Sequence, residues 1–382
     1  MKKLLSAVLI GAMALSLAAC GGNTEGPKPE APASEAPASE APASEAPASE
    51  APASEAPASE GTDYSNFSVG MITDTGGVND QSFNQSAWEG LQAFEQETGA
   101  KVSYRESEQE ANYGPNIDSL VDADTDLIWG IGFMMGDAIS NAATTNPDIK
   151  FAIVDNAYDE TPANLTAVVF RAQEPSFLVG YMAGMTTETN KVGFVGGIKG
   201  EVIDQFEFGY RAGVAYAAKE LGKEIEVLVQ YADSFGDDAK GKAIATSMYT
   251  NGADIVFHAA GNVGQGVIAA AKDMDKLVIG VDRDQAYLAP DNVMTSALKL
   301  VGAAMKDVSK RIADGEELGG QTLAYGIAEE SAGIPPYEGS TANLVDKEVY
   351  DKTMEIKDKI VSGDIIDIPV SEEEFNEFVT GL

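Results

Sequence analysis

The chain has 382 residues, with 61 acidic against 25 basic side chains and a formal net charge of -36. Nucleic-acid affinity comes from lysine and arginine neutralising phosphates, so this balance argues against polyanionic partners and favours a neutral or cationic ligand. One cysteine and one histidine leave no internal disulfide and no histidine-rich metal site, and no cofactor or metal is expected.

Lys2 and Lys3 form a short basic region, Leu4 to Leu17 an apolar stretch too short to span a bilayer, and Leu17-Ala18-Ala19-Cys20 a small-residue cleavage site ending in cysteine. This arrangement resembles a bacterial lipobox. Residues 1–19 then read as a signal peptide and Cys20 as the lipidated residue; more than one acyl chain there gives a lasting membrane anchor on the extracytoplasmic face. From Ala31 to Glu60 the unit Ala-Pro-Ala-Ser-Glu repeats without a break. Proline in every unit blocks helix and no large apolar side chain is available to bury, so residues 20–63 read as a stiff acidic spacer, of a length suited to display through a thick Gram-positive wall.

Roughly 320 residues follow, more than one core usually organises, and two lobes are expected. Short β-branched runs alternate with amphipathic patterns. The predicted strands are Ser68 to Ile72, Lys101 to Arg105, Leu127 to Gly130, Phe151 to Val154, Ala167 to Phe170, Lys191 to Val195, Ile225 to Tyr231, Asp254 to Phe257, Leu277 to Val281 and Val293 to Ala297. Helical stripes run through Phe83, Ala87, Leu91 and Phe94, and through Val202, Phe206, Tyr210 and Val214. Repeated βα units mean an α/β fold of parallel sheets flanked by helices, whose ligand crevice lies outside the strands' carboxyl ends. Asp74, Asp155, His258 and Asp282 are expected at that edge.

Two loops carry the most chemistry. In Asp74-Thr75-Gly76-Gly77-Val78-Asn79-Asp80-Gln81-Ser82-Phe83-Asn84, the glycines permit a close backbone approach, Asn79 or Asp80 can cap the next helix, and Phe83 in the first turn either faces the crevice or joins the core. In Tyr231-Ala232-Asp233-Ser234-Phe235-Gly236-Asp237-Asp238, Phe235 again lies just past a strand and before a helix. If the lobes face each other, the two rings can clamp one flat ring, with carboxylates supplying orientation. Two other patterns are decoys: Gly236 to Lys242 lacks the hydroxyl of a phosphate loop at Ala243, and Gly261-x-x-Gly264-x-Gly266 has the wrong spacing for a dinucleotide fingerprint.

Val69-Gly70-Met71-Ile72-Thr73-Asp74, Gly76-Gly77 and Asp80-Gln81-Ser82-Phe83-Asn84 together resemble the opening signature of the basic-membrane-protein family of binding lipoproteins. Phe170-Arg171-Ala172-Gln173-Glu174, Lys191 to Gly197, Tyr231 to Phe235, Phe257-His258-Ala259-Ala260-Gly261 and Ile279-Gly280-Val281-Asp282 continue the likeness, which covers essentially all of Phe67 to Leu382. The resemblance implies a periplasmic-binding-protein-like type I fold: two Rossmann-like lobes with parallel sheets joined by crossovers. It also implies a monomeric receptor for a nucleoside, serving an ABC permease and its ATPase, and not an enzyme. On that pattern Phe83 and Phe235 hold the base, Asp74 meets its edge, Asp282 and Lys299 hold the ribose, and Gly261 lets backbone approach the sugar. Asp80, Met134, Asp155 and His258 are further candidate contacts.

The chain departs from the family where Gly261-Asn262-Val263-Gly264 replaces a Gly-Gly-Thr-Gly pattern, and Gly132-Phe133-Met134-Met135 offers no polar side chain to a base. A sugar or other small metabolite is the nearest rival ligand, and a carboxylate-based surface hydrolase the rival activity. Residues 64–172 plus 283–325 are expected to form the N-terminal lobe and 173–282 plus 326–382 the C-terminal lobe. Crossovers are expected near Arg171 to Pro175, Asp282 to Asn292 and after Tyr325.

Overall fold

The computed structural model describes residues 64–338, 341, 344–365 and 367–382; the expectations for the signal peptide, Cys20 and the spacer lie outside them. Strands β1 (Ser68–Ile72), β2 (Lys101–Arg105), β3 (Leu127–Ile131), β4 (Lys150–Val154) and β5 (Leu165–Phe170) belong to one sheet. The next five, β6 (Lys191–Gly196), β7 (Glu226–Tyr231), β8 (Ile255–Ala259), β9 (Leu277–Asp282) and β10 (Val293–Lys299), belong to a second. β11 (Thr322–Tyr325) returns to the first sheet and β12 (Ala332–Gly333) to the second, giving the orders β11-β5-β4-β3-β1-β2 and β12-β10-β9-β8-β6-β7.

Pairing is parallel throughout except for β12 against β10. Central β3 and β8 are buried along their whole length, because helices cover both faces of a parallel sheet. Edge strands β2 and β7 instead carry exposed Lys101, Tyr104 and Glu226, which leaves a charged rim unattractive to further strand pairing.

The helices are α1 (Phe83–Thr98), α2 (Tyr113–Val121), α3 (Gly136–Thr145), α4 (Gln173–Thr186), α5 (Glu201–Leu221), α6 (Asp238–Thr250), α7 (Val263–Met274), α8 (Val301–Ala313), α9 (Lys347–Ser362) and α10 (Glu372–Gly381). The stripe of Phe83, Ala87, Leu91 and Phe94 is buried, as its spacing requires, and shares the first core with Trp129, Val301, Met305 and Val308. α8 meets α1 almost backbone to backbone: a Cβ on Gly90 would stand 2.2 Å from the Gly302 carbonyl oxygen, a position only glycine can fill.

The chain order corrects one expectation. The sequence pattern puts residues 283–325 in the first lobe after a crossover near Asp282 to Asn292, whereas β10 pairs in parallel with β9, placing Ala297 beside Val281 and Leu298 beside Asp282. The segment between them makes only a short 3-10 turn, Ala286–Leu288, whose Ala286 and nearby Ala289 pack into a second-lobe core. It therefore stays in the second lobe. Among the described residues the chain passes between sheets after β5, after β10 at Lys299–Val301, and after β11.

At the first and last of these crossings, Glu174 gathers the strands of chain. It takes a hydrogen bond from Arg171 Nε at 2.6 Å and another from the Ile327 amide at 2.7 Å, while Arg171 also pairs with Glu329.

Candidate ligand-binding site

The carboxyl ends of β1, β3 and β4 from one lobe and of β8, β9 and β10 from the other border a single cavity. Its lining includes Asp74, Asp80, Phe83, Asp155, Phe235, Gly261, Asp282 and Lys299, so the sequence-selected residues of both loops are brought together.

On the first-lobe wall Asn84 is the organiser. Its Nδ2 donates to Asp74 Oδ1 at 2.7 Å and to Asp80 Oδ2 at 3.0 Å, and its Oδ1 accepts from the Asp74 amide at 3.2 Å. Asp80 also accepts from the amides of Ser82, Asn84 and Gln85, capping the first turn of α1 with its carboxylate. Burial pushes the Asp74 carboxyl up to about 7, against the lowering pull of its bonds from Asn84 and the Gly76 amide. Burial raises Asp80 as well, and its amide bonds oppose the rise.

Across the gap stands one cation. Lys299 ends β10 and is 3% exposed; its ammonium donates to Asp155 Oδ2 at 2.5 Å, from the opposite lobe, and lies 4.0 Å from Asp282 Oδ1. Three phenylalanine rings surround it, Phe83 at 4.5 Å, Phe206 at 5.5 Å and Phe170 at 5.6 Å, so the desolvated charge meets aromatic faces as well as carboxylates. Asp282 accepts from Ser82 Oγ at 2.5 Å, again between lobes. Its carboxyl is pushed up to about 6 by burial, with Lys299 and the Ser82 bond pulling the other way. Asp155 and Asp282 both hold positive φ, 64° and 65°, a costly backbone state that clusters at functional sites.

The two candidate clamp rings come from opposite lobes. Phe83 is 9% exposed and Phe235 7% exposed, and each completes its own lobe's core while lining the shared cavity. For Phe83, core and crevice are therefore not alternatives. Phe235 lies over Gly197, where an added Cβ would come 2.2 Å from its ring, and a third ring, Phe133, meets it edge-on at 6.2 Å. Phe133 belongs to the first lobe but packs on the second-lobe core.

Two candidates lie elsewhere. His258 falls inside β8, not at its end; the strand's twofold alternation turns the ring away from the cavity and under Gly264, and it is fully buried. Burial holds it down at about 4, so it is neutral at physiological pH. Met134 points out of the cavity into a shallow groove with Ile198, Asp233 and Ser234. Conversely, Asn84, Phe133, Val202, Ile203 and Phe206 line the cavity without having been singled out. Asn84 stood inside the quoted motif, and its place one residue after Phe83 was the available signal.

Residues 67–372 match the family model for Bmp, ABC transporter substrate-binding protein PnrA-like. The CD4+ T-cell-stimulating antigen of Listeria monocytogenes is 43% identical over 320 residues, covering 78% of this chain and 87% of that protein. Basic membrane protein A of Borreliella burgdorferi is 40% identical over 316 residues, covering 81% and 90%. The ABC transporter nucleoside-binding protein BmpA of Lactococcus lactis is 39% identical over 326 residues, covering 79% and 88%. A solved ABC transporter solute-binding protein from Aeropyrum pernix superposes with a TM-score of 0.75 at 24% identity, over 82% of this chain and 98% of that one, which shows the shared two-lobed fold. The chain belongs to the Bmp family of PnrA-like ABC transporter substrate-binding proteins.

Proposed function

We propose that this chain is a monomeric, extracytoplasmic receptor, anchored through lipid on Cys20, that binds a purine nucleoside between its lobes. It delivers the ligand to an ABC permease and its ATPase and does not turn it over. The observation that carries the reading is that Phe83 and Phe235, from different lobes, line one cavity with Asp74, Asp282 and Lys299. The name of the Lactococcus lactis relative, a nucleoside-binding protein, points the same way.

In this reading the planar base lies between the two rings, and stacking contributes about 1–3 kcal/mol per ring. Asp74 meets the base edge. Asp282 accepts from ribose hydroxyls and Lys299 donates to a sugar oxygen while remaining paired with Asp155. Gly261, at φ 56°, turns its backbone toward the sugar without a Cβ in the way. The carboxylate-rich lining disfavours any phosphorylated form of the ligand.

Calorimetric titration of the purified chain with inosine, guanosine, adenosine, cytidine and simple sugars tests this. Saturable heat with purine nucleosides and unchanged ligand afterwards is expected. Heat from sugars alone would overturn the ligand class, and released base or free ribose would overturn the receptor reading.

A further inference from the structure

Outside the cavity, the second lobe reaches back to hold one residue of the first at two places. Gln285, fully buried, donates from Nε2 to the Gln81 carbonyl at 3.0 Å, while its Oε1 accepts from the Val281 amide at 3.0 Å and its own amide donates to Ser296 Oγ at 3.1 Å. Tyr287, 53% exposed, donates its hydroxyl to Gln81 Oε1 at 2.7 Å. Gln81 has φ 57°, a left-handed state unfavourable for a residue with a side chain, and immediately precedes Ser82, which bonds Asp282, and Phe83. A closed circuit results: Asp282 to Ser82, through Gln81 to Gln285, and back to the strand end at Val281.

We propose that Gln81, Gln285 and Tyr287 are positioning residues of the clamp: the second lobe, on closing, holds Gln81 in its strained conformation and so fixes where Ser82 and Phe83 stand. This rests on the nucleoside reading for its ligand but not for its mechanics. With the lobes apart, Gln81 loses both partners and can leave its left-handed state, so the final placement of Ser82 and Phe83 is set when the second lobe arrives. The three residues act on ligand release and not on capture, because their bonds exist only in the closed form, which the ligand-free chain also samples and which must open before a bound ligand leaves.

Stopped-flow binding of inosine to the full chain is the first test. Tyr287→Phe removes only the hydroxyl and should speed release roughly 3- to 10-fold, the effect of one lost hydrogen bond, with association unchanged. Gln81→Ala should do at least as much, and the double variant should add nothing to Gln81→Ala, since both remove the same link. Additive effects, or release as slow as in the unaltered chain, would overturn the proposal.

The second readout needs no ligand. Spin labels on Glu108→Cys and Asp233→Cys, exposed residues on opposite lobes bordering one groove, report lobe separation, with Cys20→Ser leaving only those thiols. The distance distribution should broaden toward longer values in Tyr287→Phe and in Gln81→Ala; an unchanged distribution overturns the latch. Broadening without any inosine signal in the unaltered chain would retain the latch and reject the nucleoside.

Discussion

The two walls of the cavity are built from different materials. The first lobe contributes Asp74, Asp80, Asn84 and Asp155 around Phe83, Gly132 and Phe133, a polar face whose carboxylates are held by side-chain and backbone donors. The second contributes Val202, Ile203, Phe206, Phe235, Ala259, Ala260 and Val281, an apolar face interrupted by Asp282 and Lys299. Hydrogen-bonding groups fix orientation, while the apolar face removes water and strengthens every charge opposite it. On the proposed reading, discrimination among bases falls to the first wall, while the second holds the sugar and adds the larger apolar surface.

The severest way to break this division is to remove Lys299, the one basic side chain among the described lining residues. Lys299→Met strands Asp155 as a buried charge, a loss of about 3–5 kcal/mol, and chemical denaturation should register it in the ligand-free chain along with collapse of inosine affinity. Phe235→Ala should weaken purine nucleoside binding by about 1–3 kcal/mol with similar losses for different bases, because a ring face does not distinguish them. Affinity preserved in that variant would remove the clamp.

Phe133→Ala takes away only the edge contact that steadies Phe235, about 0.5–1.5 kcal/mol, and titration should show a correspondingly smaller loss. The smallest change sharpens the comparison instead of breaking it. Asp74 holds its proton up to about 7 when folded against an ordinary value of 3.8, so the folded chain binds that proton more tightly and loses stability as pH rises through this interval. Melting temperature should therefore fall less between about pH 5 and about pH 8 in Asp74→Asn than in the unaltered chain. The same variant should reorder preferences among bases more than Phe235→Ala does.

Ten strands were legible because a parallel sheet writes itself as short β-branched runs: β1 and β2 match their predicted bounds and β3 to β10 differ by one or two residues at one or both ends, whereas short β11 and β12 were not predicted. The two loops that bring Phe83 and Phe235 to the cavity were legible too, since an aromatic between a strand end and a helix start has few places to go. Lobe membership of β10 was not. A run such as Val293 to Ala297 reads alike in either sheet, and only its register against β9 decides. His258 shows the same limit at residue scale, where a strand ending two residues later than expected moves a side chain from the edge to the interior. Phe133 and the contacts of Ser82 and Gln285 depend on how the lobes meet, which no local pattern encodes.

Lys299 sits one residue before the segment that carries the chain from β10 to α8, and Phe170 ends β5 just ahead of another such passage. In any swing of one lobe about these passages, displacement grows with distance from the axis. The ammonium near the pivot moves little, whereas residues farther from these passages sweep a wider arc. An electrostatic anchor thus stays in place at the back of the cleft however far its mouth opens.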